Sequence, residues 1–232
     1  MRPLLAGLFF LTMPAGLASA DHGCNADRKL SDIIGEVHIA KSTRLAALVQ
    51  LGYKKNICFG IEAPDTSMLS DVVHFNSSHA TVEAAIRQVL PQGSYELTEQ
   101  HGIVLIRRAD FGTWLDHIVP SFVVDRTTVQ WASMNLFVTV ARMADPSVGD
   151  FAGDYNPGNG NDFVGPLNEQ DKRLWELLTL IVRSSRGGAW ISGRCAVTDE
   201  SVTREPCWTI LEYSLPLQAT VEQAVGFSKK AK

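Results

Sequence analysis

What this chain does without narrows its function before any motif is found. After the first twenty residues, no stretch reaches the roughly 20 consecutive apolar residues that cross a bilayer. No stripe of lysine and arginine interleaved with aromatics appears, and the formal net charge of −4 argues against a phosphate-binding surface, so nucleic acid is not an expected partner. There is no Cys-x-x-Cys pair with matching histidines to hold zinc. There is no Gly-x-Ser-x-Gly turn to lift a serine out of a strand, and no spacing suited to a nucleotide or phosphate. No cofactor is expected. Low-complexity tracts are missing too. With 45% hydrophobic and 20% charged residues, the 232-residue chain has enough apolar material for a core and no signature of disorder.

What is present begins with a leader. Arg2, an apolar run over 4–13 and Ala18-Ser19-Ala20 before Asp21 match a secretory signal peptide with a small-residue cleavage site. Pro14 and Gly16 interrupt that run, which argues against a membrane anchor. Cys24 follows no lipoprotein box. The expectation is a periplasmic or secreted protein with no stable membrane insertion once the leader is removed. In an oxidising compartment Cys24, Cys58, Cys195 and Cys207 are expected to pair, and three connectivities are open. Cys195 and Cys207 close one strand and open the next, which favours a bridge across a hairpin neck. Cys24 with Cys58 then follows by elimination and pins the mature N-terminus to a strand over 56–62.

Hydrophobic periodicity predicts a strand–helix alphabet. Val82, Ala85, Ile86, Val89 and Leu90 form the stripe of an amphipathic helix, started by Ser78 or His79 and stopped at Pro91-Gln92-Gly93. Residues 94–97 and 103–106 read as a hairpin across 99–102, with Gly102 free to take positive φ. Before them come a strand over 36–40, a helix capped by Ser42 or Thr43 and ended at Gly52, a strand over 56–62, a loop from Pro64-Asp65 and a strand over 72–75. The second half shows a strand over 118–124, a helix from 125–128 onward carrying Val129, Met134, Phe137, Val138 and Ala141, and a short strand near 148–151. A strand over 162–167, a helix over 171–183 capped by Asn168, and a hairpin of 188–194 with 207–215 follow. Corresponding elements recur at offsets of about 85 to 95 residues.

The fold class predicted is α+β: two related β-α-β-β-α-β-β subdomains with small mixed sheets packed against helices. The leader occupies 1–20, the subdomains 21–108 and 109–217, and a tail 218–232. Phe111, Trp114 and Leu115 are too apolar for a free linker and should bind the halves together.

Residues 45–51, 56–62, 72–75, 81–90 and the strand Gly102-Ile103-Val104-Leu105-Ile106 resemble the short N-terminal (STN) domain shared by secretins and TonB-dependent receptors. The most recognisable phrase of that family is a polar residue followed by Val-Glu-Ala-Ala and a hydrophobic residue, here Thr81-Val82-Glu83-Ala84-Ala85-Ile86. The second half is similar in outline, with Trp175 and Trp190 where the family has aliphatics or a small aromatic. The resemblance implies protein recognition in the periplasm, feeding a channel or a signalling regulator. No barrel, plug or secretin core is read in this chain, so it implies a fold and a recognition role rather than transport.

Reactive constellations are sparse. Asp116, His117 and Ser121 have the residue types of a nucleophilic triad but read as a strand entry. His74, His79 and His101 could approach one another around the first hairpin, although surface histidines are the simpler reading. Asp154, Asn156 and Asp162 place oxygen ligands as a calcium loop does, but Asn159 stands where the sharp turn wants Gly and Gly165 where the bidentate Glu belongs. Asn76-Ser77-Ser78 is a glycosylation sequon. Of the five tryptophans most should be core, and an exposed one on a hairpin would suit recognition. The expectation is a non-catalytic recognition or scaffold protein that binds an envelope protein partner through a sheet edge or hairpin. An envelope hydrolase with an unfamiliar site and a small-molecule or calcium-binding protein are the alternatives.

Overall fold

In the computed structural model, which describes residues 24–25, 27–62, 65–108, 114–148, 163–185, 187–194 and 206–212, local chemistry sets most element ends. Strand β1 (Val37–Thr43) buries Val37 and Ile39 and exposes His38 and Ala40, the period-two pattern of a strand covered on one face. Thr43 caps α1 (Arg44–Lys55), its hydroxyl accepting from the Ala46 N–H. The helix does not stop at Gly52. It closes at Asn56, which takes φ 52° and returns its N–H to the Gly52 carbonyl, a conformation asparagine tolerates. Strand β2 (Phe59–Glu62) is shorter than the 56–62 predicted for that reason.

Where a loop was expected, Asp65 caps the short helix α2 (Thr66–Ser70) by accepting from Met68 N–H. Strand β3 (Val72–Ser77) pairs antiparallel with β1. Helix α3 (Val82–Val89) starts not at Ser78 or His79 but at Thr81, whose hydroxyl accepts from Ala84 N–H. Its predicted stripe is buried. Strands β4 (Tyr95–Gln100) and β5 (Ile103–Arg108) meet at His101-Gly102, with φ of 51° and 78°, the two positive values a tight primed hairpin turn requires.

A 3₁₀ turn at Trp114–Asp116 leads to β6 (Ile118–Val124), the two-residue β7 (Thr127–Thr128) and α4 (Val129–Ala144), capped by Thr128. On α4 the core contacts are Val129, Ala132, Leu136 and Val138, whereas Phe137 is exposed. Then follow β8 (Phe163–Val164), β9 (Leu167–Arg173), α5 (Leu174–Ser184), β10 (Gly188–Arg194) and β11 (Pro206–Glu212). Asn168 is no cap: it lies opposite Val123 in the antiparallel β6–β9 pair. Glu176 fixes the start of α5 instead, its carboxylate accepting the Arg173 N–H at 2.8 Å. Beyond Val148, the strand expected near 148–151 lies outside the described residues.

One sheet joins the halves. Its order is β11-β10-β2-β5-β4, with β10, β2 and β5 parallel and the two outer strands antiparallel to their neighbours. Phe59, Ile61, Val104, Ile106, Ala189 and Ile191 face a core shared with α1, α3 and the β1–β3 pair. Ile103, Leu105, Trp190 and Trp208 face the opposite core, shared with α4, α5 and the β6–β9 pair. Five layers result: two-stranded sheet, helices, five-stranded sheet, helices, two-stranded sheet. Burial on both faces accounts for the continuous apolar runs of β2, β5 and β10, as in other strands covered from both sides. The fold is thus α+β with small sheets packed against helices. Leu115 enters the second core, as the linker composition suggested.

Trp190 is the pivot of this stack. It is fully buried, and its indole N–H donates to Thr179 Oγ1 at 3.2 Å, while the Thr179 hydroxyl donates to the Trp175 carbonyl at 2.8 Å. The ring lies against Gly60 of the neighbouring parallel strand, where there is no room for a Cβ. Trp190 and Trp208 are both buried, so the described hairpin tryptophans present no recognition surface. Cys24 and Cys58 form a disulfide with Cα atoms 5.3 Å apart, and Asn25 N–H donates to the Asn56 carbonyl at 2.9 Å, pinning the early chain to the root of β2. Cys207 lies in β11 opposite Gly193, but Cys195, its expected partner, lies outside the described residues. No helix among them is long and apolar enough to cross a membrane.

Candidate functional site at the β4–β5 hairpin

The β4–β5 turn is held from two sides. From α5, Arg183 Nη1 donates to the His101 carbonyl at 2.6 Å. The His101 ring leans on Trp175 with centroids 5.4 Å apart, and its Nε2 stands 3.6 Å from Glu176 Oε1. From the early chain, Leu30 N–H donates to the Glu99 carboxylate. Between residues 27–29 and 99–103 these contacts leave a cleft of about 420 Å³. Its walls carry both signs of charge, from Asp27 and Glu99 to Arg28 and Lys29. Arg28 is half-buried; Nη2 donates to the Lys55 carbonyl at 3.3 Å, and Nε is buried without a hydrogen-bond partner. Walls of both charge signs suit a peptide, which offers carbonyls and amides together, better than a lone phosphate.

Strand β4 leads out of this cleft along the edge of the five-stranded sheet. Tyr95 and Leu97 turn into the first core, whereas Glu96, Thr98 and Glu99 are exposed. Burial pushes the Tyr95 phenol up to about 12, and its oxygen accepts the Asp65 N–H at 3.0 Å. Burial works against the Asp65 carboxylate, yet bonds from the Ser67 hydroxyl and Met68 N–H hold it below its ordinary value. The β4 root is therefore fastened. Among the described residues its outer edge takes no further strand. An edge strand presents unpaired N–H and C=O groups, a template for one more strand.

A partly buried polar cluster joins the two halves behind the hairpin. Glu62, 4% exposed at the end of β2, is met by Arg107 Nε at 2.7 Å. The same guanidinium reaches Asp116 through Nη2 at 3.3 Å and Nη1 at 3.5 Å, and the Trp175 indole donates to Asp116 at 3.1 Å. Burial raises the Glu62 pKa above the ordinary 4.5; Arg107 opposes the rise and the Asp116 charge adds to it. Glu62 and Ser192 lie side by side across β2–β10 on the same sheet face. The sequence hinted at this cluster only through charges closing the apolar runs Phe59-Gly60-Ile61-Glu62 and Ile103-Val104-Leu105-Ile106-Arg107.

The predicted constellations fare unevenly. Asp154, Asn156 and Asp162 lie outside the described residues. The bonds of Asp116 lead to Arg107 and Trp175, and Ser121 Oγ accepts from Gln170 on the opposing strand at 3.0 Å, so their described contacts point apart. His74, His79 and His101 do not gather: His101 rests on α5, His79 sits in the bend before α3, and His74 neighbours His38. No cluster of three or more His, Cys, Asp or Glu suited to a metal occurs among the described residues. Compared with known proteins, the chain matches no family model, no curated protein and no solved structure.

Proposed function

We propose that this protein is an exported, non-catalytic recognition or scaffold module of the cell envelope, which receives an extended segment of a protein partner along β4 and into the cleft at the β4–β5 turn. The carrying observation is an edge strand fastened at its root by Tyr95 and at its turn by Arg183, beyond which the sheet takes no further strand among the described residues. Strand addition uses such an edge: main-chain bonds supply affinity and flanking side chains supply choice. Export is supported by the leader pattern and by the Cys24–Cys58 disulfide, which persists in oxidising compartments. A relation of the first half to the STN domain is supported by its element order and by the Thr81-capped helix that carries the family phrase. Kinship of the second half is supported by its own antiparallel pair, β6–β9, with a helix following each strand and a hairpin after them.

A photo-cross-linking residue at Thr98 in the tagged chain, expressed in its native envelope, should capture a recurrent partner identified by mass spectrometry. Thr98→Pro or Thr98→Lys, with unchanged circular dichroism, should abolish that capture. A folded Thr98→Pro variant that captures the same partner equally well would exclude the edge. Capture of nothing above background would sink the recognition role.

A further inference from the structure

We infer that the exposed face of the β1–β3 pair carries a binding site for a late-transition divalent cation (Cu²⁺, Ni²⁺ or Zn²⁺), ligated by His38 and His74 and oriented by Asn76. In the antiparallel register His38 lies opposite Asn76. His74 precedes Asn76 by two positions and so shares its sheet face. All three are exposed, and the imidazole centroids are 5.8 Å apart with planes at 83°.

One amide sets both tautomers. The Asn76 Oδ1 can only accept, so the His38 Nδ1 that bonds to it carries the proton and His38 Nε2 keeps its lone pair. Asn76 Nδ2 can only donate, and it stands 3.4 Å from His74 Nε2, which makes that atom the lone-pair nitrogen of the second ring. In the neutral tautomers these contacts select, the His38 Nε2 lone pair points away from the Asn76 amide and the His74 Nε2 lone pair faces it. The Nδ1–H to carbonyl bond of His38 is the outer-shell contact that orients metal-ligating histidines.

The spacing fits. Imidazole binds these metals at about 2.0–2.1 Å, which puts each ring centroid about 3.2 Å from the ion and two centroids about 5.2–5.8 Å apart for ligand angles of about 110–130°. The observed 5.8 Å lies at the upper end of that range; the ion takes the place of the Asn76 N–H at His74, and the two exposed rings turn so that both Nε2 atoms face it. Water would complete the coordination at this open face. Two imidazoles favour copper, nickel or zinc over the hard cations, which prefer oxygen.

The test uses the full chain in a His22→Ala background, so that a histidine near the mature N-terminus does not compete, with Cu²⁺ as the probe. In NMR spectra of the imidazole protons, substoichiometric Cu²⁺ should broaden His38 and His74 before His79, His101 and His117. By isothermal titration with Zn²⁺, His38→Ala and His74→Ala should each weaken binding at least tenfold. His79→Ala should leave it within twofold, and Asn76→Asp, which adds a carboxylate ligand, should tighten it. Broadening that spares His38 and His74, or Zn²⁺ affinity unchanged in His74→Ala with circular dichroism intact, would overturn the assignment.

Discussion

A single methyl group placed on Gly60 should report on the joint between the two halves. An ideal Cβ at Gly60 would stand 2.3 Å from Trp190 Cζ2, 2.5 Å from Cε2 and 2.9 Å from Leu105 Cδ1. Carbon atoms settle at about 3.5–4.0 Å, so the indole would have to retreat by more than an ångström. It has nowhere to go, because the ring is fully buried and its N–H is tied to Thr179 at 3.2 Å. Overpacking a core costs about 1–3 kcal/mol, and breaking the indole bond would leave a buried N–H unsatisfied at about 1–3 kcal/mol more. Gly60→Ala should therefore destabilise the protein by about 3 kcal/mol, read from urea unfolding followed by tryptophan fluorescence. Trp190→Leu, which leaves a cavity, should cost about 2–5 kcal/mol on its own. In the double variant the clash is gone, and the loss should fall short of the sum by at least about 1.5 kcal/mol. Gly60 and Trp190 lie 130 residues apart in the chain, in strands paired only in the five-stranded sheet. A Gly60→Ala loss below about 0.5 kcal/mol, or strict additivity, would refute the layered arrangement.

Removing the Cys24–Cys58 bridge by Cys24→Ser frees a loop with a sequence separation of 34. Loop entropy sets the expected loss at about 3–4 kcal/mol, visible as a lower urea midpoint, and an unchanged midpoint would contradict it. Glu62 titrates above its ordinary value in the fold, so the cost of its buried charge is absent below pH 4.5 and grows as pH rises through the raised folded value. Stability of the wild type relative to Glu62→Gln should fall across that window, and a pH-independent difference would show that Arg107 fully offsets the burial. Thr81→Ala deletes the cap of α3 and should cost about 1 kcal/mol, whereas Ser78→Ala should be near neutral; equal effects would contradict the cap assignment.

Much of the local structure was legible because its causes are local. The stripes on α3 and α5 are three- and four-residue spacings: the five positions predicted on α3 are buried, as are Leu174, Leu177, Leu178, Ile181 and Val182 on α5. The hairpin at His101-Gly102 was legible from a glycine between two apolar runs. The misplaced boundaries share one cause. Gly52 and Ser78 are adequate terminators or caps in isolation, and Asn56 and Thr81 win where non-local backbone contacts hold them, Asn56 by the Asn25 N–H and Thr81 by its bridge to Ile33. Asn168 is a good cap by type, yet pairing with Val123 draws it into β9. At the candidate site the β4–β5 hairpin was visible in sequence, but the cleft was not, since it depends on residues 27–29 arriving beside the turn.

By itself the sequence determined the α+β class, the amphipathic helices, the hairpins and the favoured Cys24–Cys58 pairing, because periodicity, capping chemistry and cysteine arithmetic act within a few residues or by elimination. Tertiary structure alone decided that the two hairpins share one sheet with β2 between them, that Trp190 of one half fills the space left by Gly60 of the other, and that Arg107 and Asp116 gather at the buried Glu62. Strand pairing across more than a hundred residues leaves no periodic mark in the chain. It is chosen by which faces can exclude water together, and that is a property of the assembled layers.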